Sequence, residues 1–325
     1  MSKYDEFYEK VKKKYYDSLD ENSNFDILDS ITIKFIIALL LIPLVVLIVR
    51  LVASEKLFLE VLGLGMIIFI FTFVSLIMYI FLRRDTAGKE SDQYLKFRSK
   101  YVNTVGIDLL NYYFENVQFG FFNIEEGYKK AGFYSKGTND FVIHDQWSLV
   151  NENENTKLAN LSVGKITQDE DGNKSYHNLF NGTYVEVDMD ILFDFKICVC
   201  LNHELYSRMD YLEELEMDYS LFEKYFNVFT DDKISSMQLI NSEFLQDITE
   251  LYKTSPCKFD LVIDGNKLYI RLYISDNLFN VSKIEPISKD NVIHDMKCLE
   301  TIKEIIRLVH HYYDTNFLEI GWYKW

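Results

Sequence analysis

Residues 140–201 read DFVIHDQWSLVNENENTKLANLSVGKITQDEDGNKSYHNLFNGTYVEVDMDILFDFKICVCL. Four runs within them, 140–150, 157–167, 175–187 and 191–201, are rich in aromatic and β-branched residues, which is the signature of strands. Asp169-Glu170-Asp171-Gly172-Asn173 falls between the second and third as a hairpin turn, with Gly172 taking positive φ. Downstream, Asp264-Gly265-Asn266 joins runs 258–263 and 267–274 as another hairpin. Helices are read at 124–132, 220–225, 236–252 and 291–313, the third carrying Leu239, Phe244, Ile248 and Leu251 as its apolar stripe. Antiparallel strands in succession followed by helices predict an α+β domain over 124–325, not a doubly wound parallel sheet.

Composition narrows the class further. Of 325 residues, 48% are hydrophobic and 26% charged, with 13 Gly and 3 Pro, which excludes disorder throughout and a collagen-like or linker-rich chain. The 34 basic and 50 acidic residues leave a net charge of -16, so the chain repels phosphate backbones and nucleic acid is not an expected partner. Residues 85–325 contain 24 Lys plus Arg and 40 Asp plus Glu, hence the whole net charge. Cys198, Cys200, Cys257 and Cys298 lack the dense, regular spacing of a disulfide framework and are read as reduced thiols.

Ahead of this domain, residues 31–53 are apolar except for Thr32, Lys34 and Arg50. At 1.5 Å per residue such a helix is about 34 Å long, enough to cross a bilayer. Residues 58–82 carry one charge, Glu60 in the first turn, before Arg83 and Arg84 close the run. With 54–57 alone between them, the two form a transmembrane hairpin with both chain ends on one side. The many Lys and Arg flanking the hairpin, against Arg50 and Lys56 at its connection, place both termini in the cytoplasm of a multi-pass membrane protein. Pro43 should kink the first span, and Gly65, Thr72 and Tyr79 share a face of the second, suited to packing of the two spans or to a homo-oligomer.

The segment 1–30 places Tyr4, Phe7, Tyr8, Val11, Tyr15 and Leu19 at helical spacing, giving an amphipathic cytoplasmic helix. A matching series, Tyr94, Phe97, Tyr101, Val105, Leu109, Tyr112 and Tyr113, lies on a helix over 91–114, within a helical stalk at 83–123. The first helix has three surfaces open to it: the stalk, in antiparallel pairing; the globular domain; and the lipid surface.

The stretch Leu221-Phe222-Glu223-Lys224-Tyr225-Phe226-Asn227-Val228-Phe229-Thr230-Asp231-Asp232, the helix behind it and the 259–274 hairpin resemble the bacterial family called domain of unknown function 3137, over roughly 127–309. Thr230 stands where that family's pattern has Ser or a similar residue. The resemblance implies a paired membrane segment near the N-terminus followed by this architecture, and implies no activity.

Six clusters carry residues of catalytic or metal-ligating type. Cys198-x-Cys200-x-x-His203 offers three zinc-type ligands without a paired knuckle, so its cysteines read as core residues of a strand. His310 and His311 point about 100° apart on a helix. A calcium-loop alignment on Gly172 puts Thr167 and Asn178 at the end positions, where carboxylates are needed. His144-Asp145 and His294-Asp295 lack the upstream histidine of metal-dependent phosphohydrolases. Asp231-Asp232 is the acidic pair nearest to a catalytic arrangement, yet it sits between a short strand and a helix, where one of the two caps the helix or ends a turn. Glu213-Glu214-Leu215-Glu216 reads as a solvated face. Phosphate-loop, nucleophile-elbow and dinucleotide fingerprints are absent from the soluble part.

No catalytic, cofactor-binding or metal residue is therefore assigned. The expectation is a membrane-anchored cytoplasmic adaptor or ligand-binding protein, held in the bilayer by two helices and engaging a protein partner. Its alternative is a membrane-tethered hydrolase with an acidic or histidine site.

Overall fold

A computed structural model describes residues 2–18, 95, 97–134, 137–152, 154–169, 172–201, 211–274, 277–281 and 287–318. The expected spans at 31–53 and 58–82 lie outside the described residues, and among the described ones no helix is long and apolar enough to cross a membrane. The chain divides into two compact units, Met1–Lys14 with Tyr101–Val281 and Ile287–Trp325, and Tyr15–Lys100 with Ser282–Pro286. In the second unit the described residues are the last turn of α1 (Lys3–Ser18), residue 95 and a helical stretch at 97–100.

The first unit is α+β, built on a nine-stranded sheet in which every neighbouring pair is antiparallel. In spatial order its strands are β1 (Glu115–Phe119), β2 (Asp140–Asn151), β3 (Glu154–Gln168), β4 (Lys174–Asp188), β9 (Lys267–Tyr273), β8 (Lys258–Asp264), β5 (Lys196–Leu201), β7 (Phe226–Thr230) and β6 (Glu213–Glu214). The expected hairpins are present, and Gly172 takes φ +84° at the first of their turns. Between β4 and β9 the backbones approach so closely that a Cβ on Gly182 would stand 2.0 Å from the Leu272 carbonyl oxygen.

Helices cover both faces, which is why β5, KICVCL, is buried at every position instead of alternating. On one face Tyr128 of α3 (Ile124–Lys130) meets the rings of Phe180 and Tyr184, at 6.0 and 5.6 Å between centroids. On the other, Tyr252 of α6 (Ser242–Thr254) packs against Phe226 and Phe259 from β7 and β8, and Phe244 meets Tyr312 of α7 (Lys289–Tyr313). The apolar side of α7, including Leu299, Ile302, Ile305 and Val309, is fully buried, so its charged side is left facing outward.

The part of α1 in this unit docks through buried Phe7, Tyr8 and Val11. Phe7 meets Tyr112 of α2 (Ile107–Tyr113), and Lys14 pairs with Asp108 at 2.6 Å. Asp5 pairs with Lys289 and Lys3 with Glu300, both on α7. The N-terminal helix thus packs on the stalk helix and on the globular domain together.

Several boundaries differ from expectation for local reasons. The helix read at 236–252 is two, α5 (Lys233–Leu239) and α6, because Ile240 leaves helical geometry and Asn241 caps α6 by accepting the Phe244 N–H at 2.9 Å. The run 191–201 becomes a strand at Lys196; before that, Met189 and Phe193 donate their N–H groups to Asn266 and Gly265 over the β8–β9 turn. Within the stalk segment, Glu115–Phe119 is an edge strand instead of helix, bulged where Asn116 takes φ +50°. A four-residue helix, α4 (Ser220–Glu223), precedes β7.

Candidate functional site

Along the outward side of α7, Glu300, Lys303, Glu304, Arg307 and His310 recur at spacings of three and four and so form one stripe. This stripe is one wall of a cleft of about 690 Å³. Opposite it stand the β2–β3 turn, with Asn151, Glu152 and Glu154, and the Asp190-Ile191 segment beyond β4; Lys3, Tyr113 and Asp314 close the ends. Glu152 occupies that tight turn at φ +49°.

The cleft is organised by carboxylates. Glu154, buried at the start of β3, uses one oxygen to accept both His310 Nε2 at 2.8 Å and the Asp190 N–H at 3.1 Å. The hydrogen bond to Glu154 holds the His310 imidazole above its ordinary value of 6.5, against the opposing effect of burial. Burial pushes Glu300 toward the neutral acid, but Lys3, Tyr4 and Tyr113, donating at 2.6, 2.8 and 2.9 Å, outweigh it and hold the carboxyl below its usual range. Burial, then the neighbouring Glu300, raises the Tyr113 phenol well above 10. Lys303 donates to the Tyr113 carbonyl, and Arg307 forks onto both oxygens of Glu304.

Among the described residues, other groups in the same wall form no side-chain hydrogen bond or ion pair. Asn151 is 5% exposed, and its Oδ1 has no hydrogen bond. Among the described residues, the carboxylates of Glu152, Asp190 and Asp314 form no ion pair or side-chain hydrogen bond. The cleft therefore presents acceptors in excess of donors, a state that suits a ligand better than a closed structural network.

Residues 178–312 match the family described as protein of unknown function DUF3137. This segment belongs to that family. It contains Asp190, Ile191 and the α7 stripe, whereas Lys3, Tyr113, the β2–β3 turn and Asp314 lie outside it. The DUF3137 match begins later than the resemblance read from 127 onward, and membrane anchoring forms no part of what it shows. Among solved structures, the crystal structure of the mycobacterial trehalose monomycolate transport factor A is similar at a TM-score of 0.38 and 7% identity, covering 66% of this chain and 94% of that one. Among curated proteins, none matches.

The clusters found by reading the sequence are placed elsewhere. Asp232 caps α5, its Oδ1 accepting the Ile234 and Ser235 N–H groups and its Oδ2 the Ser235 hydroxyl, which hold its carboxyl low. Asp231 turns away to accept the Lys196 N–H at 2.7 Å, so the two carboxylates do not converge. Cys198 and Cys200 are buried thiols on β5, and burial pushes the Cys198 thiol up to about 12. His203 lies outside the described residues. No group of three or more His, Cys, Asp or Glu among the described residues is positioned to hold a metal ion.

His144 meets Ser162 across β2 and β3, Nε2 to Oγ 2.8 Å, but Ser162 donates its proton to Asn181 Oδ1 at 2.8 Å. The imidazole must then donate to the hydroxyl, the reverse of what a base activating a nucleophile does. Glu213 and Glu214 are exposed as expected, though they form β6, and Glu214 accepts from Asn227 at 2.6 Å. His310 enters the cleft while His311 stays exposed beside Tyr312.

Proposed function

We propose that this chain is a membrane-anchored ligand-binding protein whose α+β domain receives a small polar molecule in the cleft beside α7. The observation that carries the reading is the cleft itself: a volume of about 690 Å³ walled by charged side chains, with a buried, unpartnered amide oxygen among them. The two apolar segments at 31–53 and 58–82 supply the anchor in this reading, with both termini cytoplasmic on the positive-inside argument. An adaptor role follows if occupancy changes the surface around α1, because Lys3 lines the cleft from the N-terminal helix and pairs with Glu300.

The test uses the full chain in phospholipid nanodiscs, screened against polar metabolite-sized compounds by thermal shift, with hydrogen exchange on every hit. Hits should slow exchange in 149–158 and 300–314 together. A screen without hits, or one whose hits protect β6 and β7 and leave α7 unchanged, would remove the cleft from the proposal. Topology is read separately: a reporter fused after Trp325 should behave as cytoplasmic, and one inserted at 54–57 as external.

A further inference from the structure

Apart from the cleft, we infer that Cys257 and Cys298 are a peroxide-oxidisable dithiol, which closes to a disulfide that ties α7 to the turn entering β8. The two thiols hydrogen-bond each other between that turn and the helix. Ser255 joins the same two elements, its Oγ standing 3.5 Å from Cys257 Sγ and 3.0 Å from Oγ1 of Thr301, which lies one turn beyond Cys298 on α7. His294, one turn before Cys298, brings Nδ1 within 3.7 Å of the Cys298 sulfur. The cluster is not a metal centre, since no three such groups among the described residues are placed around one ion.

The two sulfurs are chemically unequal. The hydrogen bond from Cys298 holds the Cys257 thiol below its ordinary value of 9.0 against the effect of burial, and Ser255 and His294 act in the same direction. The same bond, together with burial, pushes the Cys298 thiol up. Cys257 is therefore the nucleophile and Cys298 the resolving thiol. Both are buried, but under a thin cover: Cys257 stands between exposed Pro256 and Lys258, and the His294 side chain beside Cys298 is 41% exposed. An oxidant as small as hydrogen peroxide needs only the 255–258 turn to open, with the sheet left intact. Cys198 and Cys200 differ in this respect, because they lie on β5 with strands paired on both sides and are buried with the whole of that strand.

In the first step the Cys257 thiolate attacks one peroxide oxygen. The O–O bond breaks, the sulfur becomes a sulfenic acid, and the departing hydroxide leaves as water with the proton Cys257 gave up. In the second, Cys298 releases its proton toward His294 while its sulfur attacks Cys257. The S–O bond breaks and the hydroxide leaves as a second water with that proton, so the two thiols have passed two electrons to the peroxide and one disulfide remains. In a reducing compartment such a bond is transient, which is the behaviour of a redox sensor. Because α7 walls the cleft, the bridge stiffens that wall.

The experiment treats the full chain in nanodiscs with a small excess of hydrogen peroxide, then alkylates the remaining thiols and maps all four cysteines by mass spectrometry. The chain should lose about 2 Da, the mass of two hydrogens, yield a cross-linked peptide joining Cys257 to Cys298, and regain its mass in dithiothreitol. Cys198 and Cys200 should stay alkylatable, and hydrogen exchange in α7 around Cys298 should be slower in the bridged form. Cys298→Ser removes the resolving thiol, so dimedone should trap Cys257 as its sulfenic acid. Cys257→Ser should slow oxidation of Cys298 by about tenfold or more. Should either variant unfold, the map of the unsubstituted chain decides the matter. Survival of all four thiols in peroxide that oxidises free cysteine, a bridge that forms only after unfolding in urea, oxidation of Cys198 or Cys200 ahead of Cys257, or undiminished oxidation of Cys298 in Cys257→Ser would each overturn the assignment. A bridge that leaves exchange in α7 unchanged would overturn its hold on the helix.

Discussion

Beneath α3, Arg271 and Asp260 face each other across β9 and β8, 2.5 Å apart at their closest, with the guanidinium over the rings of Phe133, Phe180 and Tyr273. Asp260 also accepts the Tyr273 hydroxyl and the Leu201 N–H, while Arg271 donates to Tyr128. Both side chains are almost wholly buried. Beside α7 the same kinds of groups stand in an open cleft, and among the described residues several of its acceptors form no hydrogen bond or ion pair. Where charge is sealed, the fold has supplied every partner from within, because an unpaired ion there would be prohibitively costly. Where charge is open to water, the fold tolerates unpaired acceptors, and these mark the surface on which a ligand can act.

The comparison is broken most forcefully from its sealed side. Arg271→Ala leaves Asp260 buried among rings without its counter-ion and should cost about 3 to 5 kcal/mol of stability in urea unfolding of the full chain. Replacing both partners by apolar residues, Arg271→Met with Asp260→Leu, should recover most of that loss. Asp190→Asn in the cleft should change stability by no more than about 0.5 kcal/mol in the same assay. Comparable losses for Arg271→Ala and Asp190→Asn would mean that the two regions do not differ in the way argued.

The contrast between the regions also explains what could be read from the sequence. The long strands of residues 140–187 were legible because alternating aromatic and β-branched residues, punctuated by Asp169–Asn173 and Gly172, have few other readings. The edge strand ENVQF was not, since one pairing partner and an exposed surface ask little of its side chains. The α5–α6 break was signalled by Asn241 alone, a cap that an apolar stripe running through it conceals. One of Asp231 and Asp232 was expected to cap a helix or end a turn, a local signal, and Asp232 is the cap. The cleft could not be found in this way. It joins Lys3, Tyr113, Asn151, Asp190 and His310 from five separate parts of the chain, and its α7 stripe has the appearance of an ordinary solvated helix face. Arg271 and Asp260 likewise sit in a hairpin whose sequence gives no hint that they will face each other under an aromatic cover.

Asp295 lies between the two cases and sharpens the rule. It is buried on α7, accepts the Phe279 N–H at 3.2 Å, and has His294 at 3.9 Å as its ion-pair contact. Burial raises its carboxyl from 3.8 to about 6, an effect that His294 and the Phe279 N–H only partly offset. A carboxyl whose folded value is raised favours the neutral form, so it costs nothing below pH 3.8. The penalty grows as pH rises toward 6 and is complete above it. Asp295→Asn keeps an acceptor for Phe279 and should stabilise the chain by about 2 to 3 kcal/mol at pH 7.5, and hardly at all at pH 3.5. A variant destabilised at both pH values would show that His294 compensates the buried charge fully, which would move Asp295 into the sealed class.

The smallest effect belongs to the cleft's own ion pair. His310 is held above its ordinary 6.5 by Glu154, so its contribution to stability is fully present below pH 6.5 and is lost as pH rises through the raised value. The side chain is 29% exposed, and water screens the pair, which limits it to about 0.5 to 1 kcal/mol. His310→Gln should therefore lower stability by that amount at pH 5.5 and leave it unchanged at pH 9, with unfolding followed in urea at both values. Glu154 keeps the Asp190 N–H in either form, so the turn that carries Asn151 should stay in place and the variant should remain folded. A loss of equal size at both pH values would make His310 a packing residue and not a charge partner. The excess of acceptors over donors in the cleft would then be larger by one unneutralised carboxylate, Glu154, and the attraction of that wall for a cation stronger.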